Sequence, residues 1–406
     1  MIVFYFLVGI MPLSEHHIWG KFVGDLTVFK YIGGASAAYA LVHLIASRTL
    51  PAYLYTWQAR LFLVFYAMAS ISYFTKTLPG IVQLNPFLSY SSFLFLFLIT
   101  VTVVDSASRL RWVMLVAIGS VAFASLYMIR EWQQNHNLFA GFRPGWVVGD
   151  PNYFTISALL TMPAAYYLMV GSRRIWERGF CAVCLILTML AVTFGASRGG
   201  FLGLVTAFLF LVWQSRQRVR NLVLVGLFVL PMSFLLPVSP LNRLLHPNQV
   251  DLGAEDSRTV VWWGGLKIIE THPILGIGLG NFKPLVPQYE HDTKIVDTVA
   301  HNAYIEIGAE LGLPALFVFL GILVSCLLTL ARMRAFALRE ALPFFERTAL
   351  SLQAGLLGSF VAIFFVSGQY QKLLWLTMFL TMCMPGIVRS TLAFHGRSEK
   401  SIAVNT

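Results

Sequence analysis

The sequence predicts an all-α integral membrane protein of about twelve transmembrane helices, with one large polar loop that contains short helices. Two observations predict it. The chain of 406 residues is 57% hydrophobic and only 12% charged, well beyond the apolar content of a soluble domain. The apolar residues also collect in runs near the roughly 20 residues that cross a hydrocarbon core of about 30 Å. Candidate spans fall at 1–13, 29–47, 57–75, 87–104, 111–129, 152–170, 180–196, 199–213, 221–237, 303–330, 348–367 and 373–389. No internal repeat or linker divides the chain, so 1–406 reads as one polytopic domain into which residues 238–302 are inserted as the large loop.

The net charge of +11 would suggest nucleic acid in a soluble chain. Here the basic residues sit in short connectors between apolar runs, where they orient helices, and no nucleic-acid partner is expected. Arg109 and Arg111, then Arg173, Arg174 and Arg178, then Arg216, Arg218 and Arg220, then Arg332, Arg334, Arg339 and Arg347 mark alternate connectors. Arg389, Arg397 and Lys400 continue the series in the tail, which gives the cytoplasmic side. The connector 130–150, the tight turn at 197–199 and the large loop then share the opposite side. Met1 to Leu13 lacks a basic flank and a small-residue cleavage site, so it reads as a short first span rather than a removable signal. Cys181, Cys184, Cys326 and Cys383 all lie inside apolar runs, which favours packing over redox or metal chemistry.

The large loop is where chemistry can happen. From Pro237 to Asn302 it holds seven of the 18 acidic residues and four of the nine histidines. Asp256 and Ser257 are good N-caps for a helix over 258–270, ended by Pro273, with Val261, Gly265, Ile268 and Ile269 on one apolar face. Gly276-Ile-Gly-Leu-Gly280 reads as an irregular turn, since glycine at every second position permits backbone shapes that neither helix nor strand keeps. Its spacing and the lack of a preceding strand exclude a dinucleotide fingerprint.

Four polar features face this side. Arg198 lies in Gly195-Ala-Ser-Arg-Gly-Gly200 at a membrane boundary, where a guanidinium either snorkels or meets an anion; the flanking glycines would let a bulky ligand approach. Arg258, in the expected first helical turn, either meets an anion or pairs with Glu255, Asp256 or another loop carboxylate. His301 precedes Asn302 where the chain re-enters the membrane, with Glu306 and Glu310 on the following turns. Histidine suits proton transfer near neutral pH, and intramembrane carboxylates are functional candidates. Arg143, Asp150, Pro151 and Asn152 precede the sixth span; on its own, Asp150-Pro-Asn is an ordinary turn leading into a helix. No histidine or acidic cluster has metal-ligand spacing, and there is no G-x-S-x-G or P-loop.

Taken in order, Gly149-Asp-Pro-Asn-Tyr153, Ser197-Arg-Gly-Gly-Phe201, Arg258-x-x-x-Trp262, His272-Pro-Ile-Leu-Gly-Ile-Gly-Leu-Gly-Asn-Phe282 and His301-Asn-x-Tyr304 with Glu310-Leu-Gly-Leu-Pro314 resemble the O-antigen ligase and Wzy-type polymerase superfamily. The resemblance implies a GT-C-like fold of about twelve helices with a large periplasmic loop, set in the bacterial inner membrane. It further implies transfer of a glycan from undecaprenyl pyrophosphate to an acceptor hydroxyl, on lipid A-core or another glycan, with inversion and with neither metal nor cofactor. Carried onto this chain, Arg198 and Arg258 would bind the pyrophosphate and His301 would act as general base or orient the acceptor. Arg143, Asp150, Asn152, Asn281, Asn302 and Glu306 would be the substrate-binding residues. Protein O-oligosaccharyltransferases share these motifs. A polyprenyl-lipid flippase or secondary transporter is the competing class, expected to show repeated halves or paired mid-membrane charges that the sequence does not display clearly.

Overall fold

The computed structural model describes residues 1–13, 56–76, 84–137, 142–145, 150–215, 254–289 and 298–404, with short pieces between 21 and 45 and at 218–219. Apart from a short antiparallel pair, Lys21–Val23 with Leu26–Thr27, its described elements are helical. The principal helices are α1 (Ile2–Ile10), α2 (Trp57–Thr75), α3 (Leu84–Val103), α4 (Ala107–Asn135), α5 (Pro151–Gly171) and α6 (Ile175–Gly195). After them come α7 (Arg198–Gln214), α8 (Ala254–Thr271), α9 (Ala303–Arg339), α10 (Pro343–Ala362) and α11 (Lys372–Val404).

Six described helices, α3 to α6, α9 and α11, are long and apolar enough to cross a membrane, so the chain is a multi-pass membrane protein. The expected count of about twelve is not reached among the described residues. The span at 221–237 and most of that at 29–47 lie outside them. Helix α1 has nine residues, about 14 Å at 1.5 Å per residue, and cannot cross the core. Helix α10 is long, but it packs between α5, α7 and α9. There it buries Thr348, Ser351, Gln353 and Ser359 inside protein rather than lipid, which is why its hydropathy is low.

Small residues set the closest contact in the bundle. Gly199, Gly203 and Ala207 recur every fourth position along α7, the spacing that lets membrane helices approach backbone to backbone. A Cβ on Gly203 would lie 2.5 Å from the Gly358 carbonyl of α10, and one on Gly358 would lie 2.6 Å from the Gly203 carbonyl. Gly199 is closed off by Phe365, and Gly200 by Thr155. These glycines therefore serve helix packing, which corrects the expectation that they clear a path for a ligand beside Arg198.

The connectors marked by arginine share one end of the bundle. Arg111 clamps Glu177 through two hydrogen bonds of 2.7 Å, the Arg347 guanidinium lies against Gly171, and Arg334 donates to Gln214. The starts of α5 and α7 and the ends of α6 and α10 lie at the other end, where Arg143 and the start of α9 also meet.

Candidate active site

Helix α8 begins at Ala254, earlier than expected, so Asp256 and Ser257 lie inside its first turn and Arg258 lies beyond it. Alanine and glutamate are good helix formers, and acidic residues favour a helix start, which explains the earlier boundary. The anion argument from free N–H groups therefore does not apply to Arg258 itself. Val261 and Ile268 are buried with Ile277, Phe282 and Ala300, and Gly265 abuts Ile305 and Phe282, so α8 lies on the bundle. Trp262 sits one turn after Arg258 on the same face, and its indole N–H donates to the Ala300 carbonyl at 2.8 Å. That bond holds the Arg258 face of α8 beside residue 301.

The glycine turn has a defined purpose. Helix α9 breaks at Gly312 (φ 84°, ψ 169°), and Pro314 has no N–H, so the carbonyls of Ala309 and Glu310 lose their helical partners. Ile277 N–H donates to Ala309 at 2.9 Å and Gly278 N–H to Glu310 at 3.0 Å, while the Leu313 N–H donates to Pro273. Gly276, Gly278 and Gly280 all take positive φ, as the turn requires. Asn281 is buried and donates to the carbonyls of Lys76 and Ile277, so the structure places it in this turn, apart from the other candidates.

His301 has φ +48°, a left-handed conformation that is costly for a residue with a Cβ and persists only where neighbours enforce it. They do so on both sides. Ala300 donates to Glu306 Oε2 at 3.3 Å and accepts from Trp262. Asn302 caps α9, its Oδ1 accepting from the N–H groups of Tyr304 and Ile305, and Ala303 N–H donates to Ile363. Glu306, placed by the sequence among the substrate contacts, is buried and held by Ala300, Ser367 and Gln369, so its oxygens are committed to this clamp. His301 Nδ1 and Asn302 Nδ2 are buried and have no hydrogen-bond partner among the described residues.

Across from His301, Asp150 caps α5 by accepting from Asn152 N–H at 2.8 Å, with Pro151 at the first helical position, as the turn signal predicts. Asp150 also accepts from Asn152 Nδ2. Arg143 donates to the Gly195 carbonyl at 2.9 Å and reaches Asn152 Oδ1 at 3.5 Å. Ala196, left-handed at φ +44°, turns the chain from α6 to α7; Ser197 caps α7, and Arg198 opens it. Arg258 and Asp150 are both close enough to act on the charge of His301. Burial pushes the His301 pKa below its ordinary value of 6.5, the Arg258 cation pushes it further down, and Asp150 opposes both. The imidazole is therefore neutral at pH 7 and able to accept a proton. Arg143, Asp150, Asn152, Arg258 and His301 thus share one neighbourhood, with Arg198 three residues past Gly195 at the same end of the bundle. Among the described residues no group of three His, Cys, Asp or Glu side chains could hold a metal ion.

Residues 181–320 match the family model described as O-antigen ligase. That match supports the likeness to the O-antigen ligase and Wzy superfamily over residues 181–320. The O-antigen ligase match spans Arg198, Arg258 and His301, while Arg143, Asp150 and Asn152 precede it. A comparison with curated proteins found no match. Sequence reasoning quoted Trp262 within the motif but gave it no task; the signal was its position four residues after Arg258. The break in α9 was signalled by Gly312-x-Pro314 inside an apolar run.

Proposed function

We propose that this O-antigen ligase-like chain transfers a glycan from an undecaprenyl-pyrophosphate donor to an acceptor hydroxyl, with lipid A-core as the acceptor, at the periplasmic face of the bacterial inner membrane. The observation that carries this reading is His301: neutral, in an enforced left-handed backbone, with a buried ring nitrogen that has no hydrogen-bond partner among the described residues, and near enough to Arg258 and Asp150 for both charges to act on it.

In the reaction His301 takes the proton from the acceptor oxygen as that oxygen attacks the anomeric carbon from the face opposite the donor phosphate. The bond from the anomeric carbon to the pyrophosphate oxygen breaks, a new glycosidic bond forms with inversion, and undecaprenyl pyrophosphate leaves with the electron pair. Arg258 and Arg198 bind the pyrophosphate and stabilise the charge it gains, through planar guanidinium forks suited to phosphate oxygens. Arg143 and Asn152 brace the Gly195 turn that presents Arg198, and residues 238–302 are the large periplasmic loop.

Deletion in the host bacterium, followed by lipopolysaccharide gels and analysis of lipid-linked intermediates, is the deciding experiment. Loss of long-chain lipopolysaccharide with accumulation of lipid-linked polymer is expected, restored by wild type and by neither His301→Ala nor Arg258→Ala. A ladder reduced to single repeats would assign polymerisation instead, and unchanged lipopolysaccharide with lost protein glycosylation would assign a protein acceptor.

A further inference from the structure

At the end of the bundle opposite His301, a cavity of about 120 Å³ opens between α4, α5 and α10. That is several times the 10–15 Å³ that admits one water. Its apolar floor is Met114, Ala164 and Leu168, and its polar rim includes Arg111, Tyr167 and Arg347. Tyr167 lies 16 residues along α5 from Pro151, about 24 Å from the catalytic end at 1.5 Å per residue. The cavity is therefore separate from the glycan-transfer site.

The two arginines differ. Arg111 is fully engaged, donating to buried Glu177 and to Ser172. Arg347 is half-buried and makes no hydrogen bond or ion pair among the described residues. Its guanidinium fills the space that a side chain at Gly171 would occupy, 2.5 Å from an added Cβ. Arg334 and the carboxylate of Glu346 also act on Tyr167, so the surroundings hold Arg347, Arg334 and an already neutralised Arg111 against one remaining acid, Glu346. Trp112 and Trp176, exposed and stacked 6.1 Å apart, flank Arg111 and Glu177, the placement of an aromatic belt at a membrane–water boundary.

We propose that this cavity binds the headgroup of an anionic phospholipid, with Arg347 and the hydroxyl of Tyr167 on the phosphodiester and the upper acyl chain against Leu168, Met114 and Ala164. The apolar floor under a basic rim distinguishes a lipid from a soluble anion, because a free phosphate has no use for that floor.

The test is native mass spectrometry and thermal unfolding of the full chain after exchange into phosphatidylglycerol or phosphatidylcholine, with inorganic phosphate as a third arm. Wild type should retain phosphatidylglycerol over phosphatidylcholine and be stabilised by it. Arg347→Ala should weaken that retention roughly tenfold or more, the scale of a lost charged hydrogen bond, and Arg347→Lys should recover part of it. Arg347 is chosen over Arg111, whose loss would strand Glu177. Tyr167→Phe, a milder change, should weaken retention less and leave folding intact. Equal retention of both lipids, or an Arg347→Ala protein that behaves as wild type, overturns the assignment; so does inorganic phosphate stabilising the protein as fully as the lipid.

Discussion

The left-handed backbone at His301 separates its structural cost from its chemical task. A non-glycine residue in this conformation costs about 1–2 kcal/mol, and His301→Ala keeps that cost while removing the imidazole. His301→Gly removes both, since glycine enters the region freely, but it adds up to about 1 kcal/mol through a more flexible unfolded chain. The glycine protein should therefore be more stable than the alanine protein by roughly 0.5–1 kcal/mol. Both should lose turnover by about a hundredfold or more if the imidazole is the general base. Thermal unfolding of the purified variants, beside glycan transfer from a lipid-linked donor, reads both effects at once. A glycine variant no more stable than the alanine one would refute the strain argument, and either variant keeping more than about a tenth of wild-type turnover would refute the general-base role.

Because burial and Arg258 depress the His301 pKa, the neutral base persists as pH falls through 6.5, and activity is lost only below that, as His301 protonates. Arg258→Ala removes a cation that lowers this pKa and should move the acid limb of the rate profile up; Asp150→Asn removes the opposing carboxylate and should move it down. Limbs that stay put in both variants would detach His301 from the rate. Trp262→Phe leaves the Ala300 carbonyl without its donor and should cost about 1–3 kcal/mol and reduce turnover more than donor affinity; unchanged kinetics would show that the bond does not position His301. Gly203→Val places side-chain atoms against the Gly358 carbonyl and should destabilise the bundle by about 1–3 kcal/mol or prevent folding, whereas a wild-type melting curve would contradict the close approach of α7 and α10. On the proposed role of Arg198 and Arg258 at the pyrophosphate, transfer should continue in excess EDTA; complete loss restored by added divalent metal would refute this.

The sequence by itself determined the class of protein, the helical boundaries near 57–75, 87–104 and 152–170, the shared end of the arginine connectors and the apolar face of α8, because each follows from local periodicity, composition or capping. It also singled out His301, Arg258 and Asp150 as separate features. Tertiary structure decided what each does to the others. The family resemblance put Asn281 and Glu306 among the substrate contacts, yet their hydrogen bonds go to the glycine turn and to the clamp on Ala300. The glycines around Arg198 looked like open space, yet they are filled by Phe365 and Thr155. A residue's type fixes which bonds it can form, whereas its partners come from segments as distant as Ala300 is from Trp262 or Gly358 from Gly203, and only the packed chain brings those together.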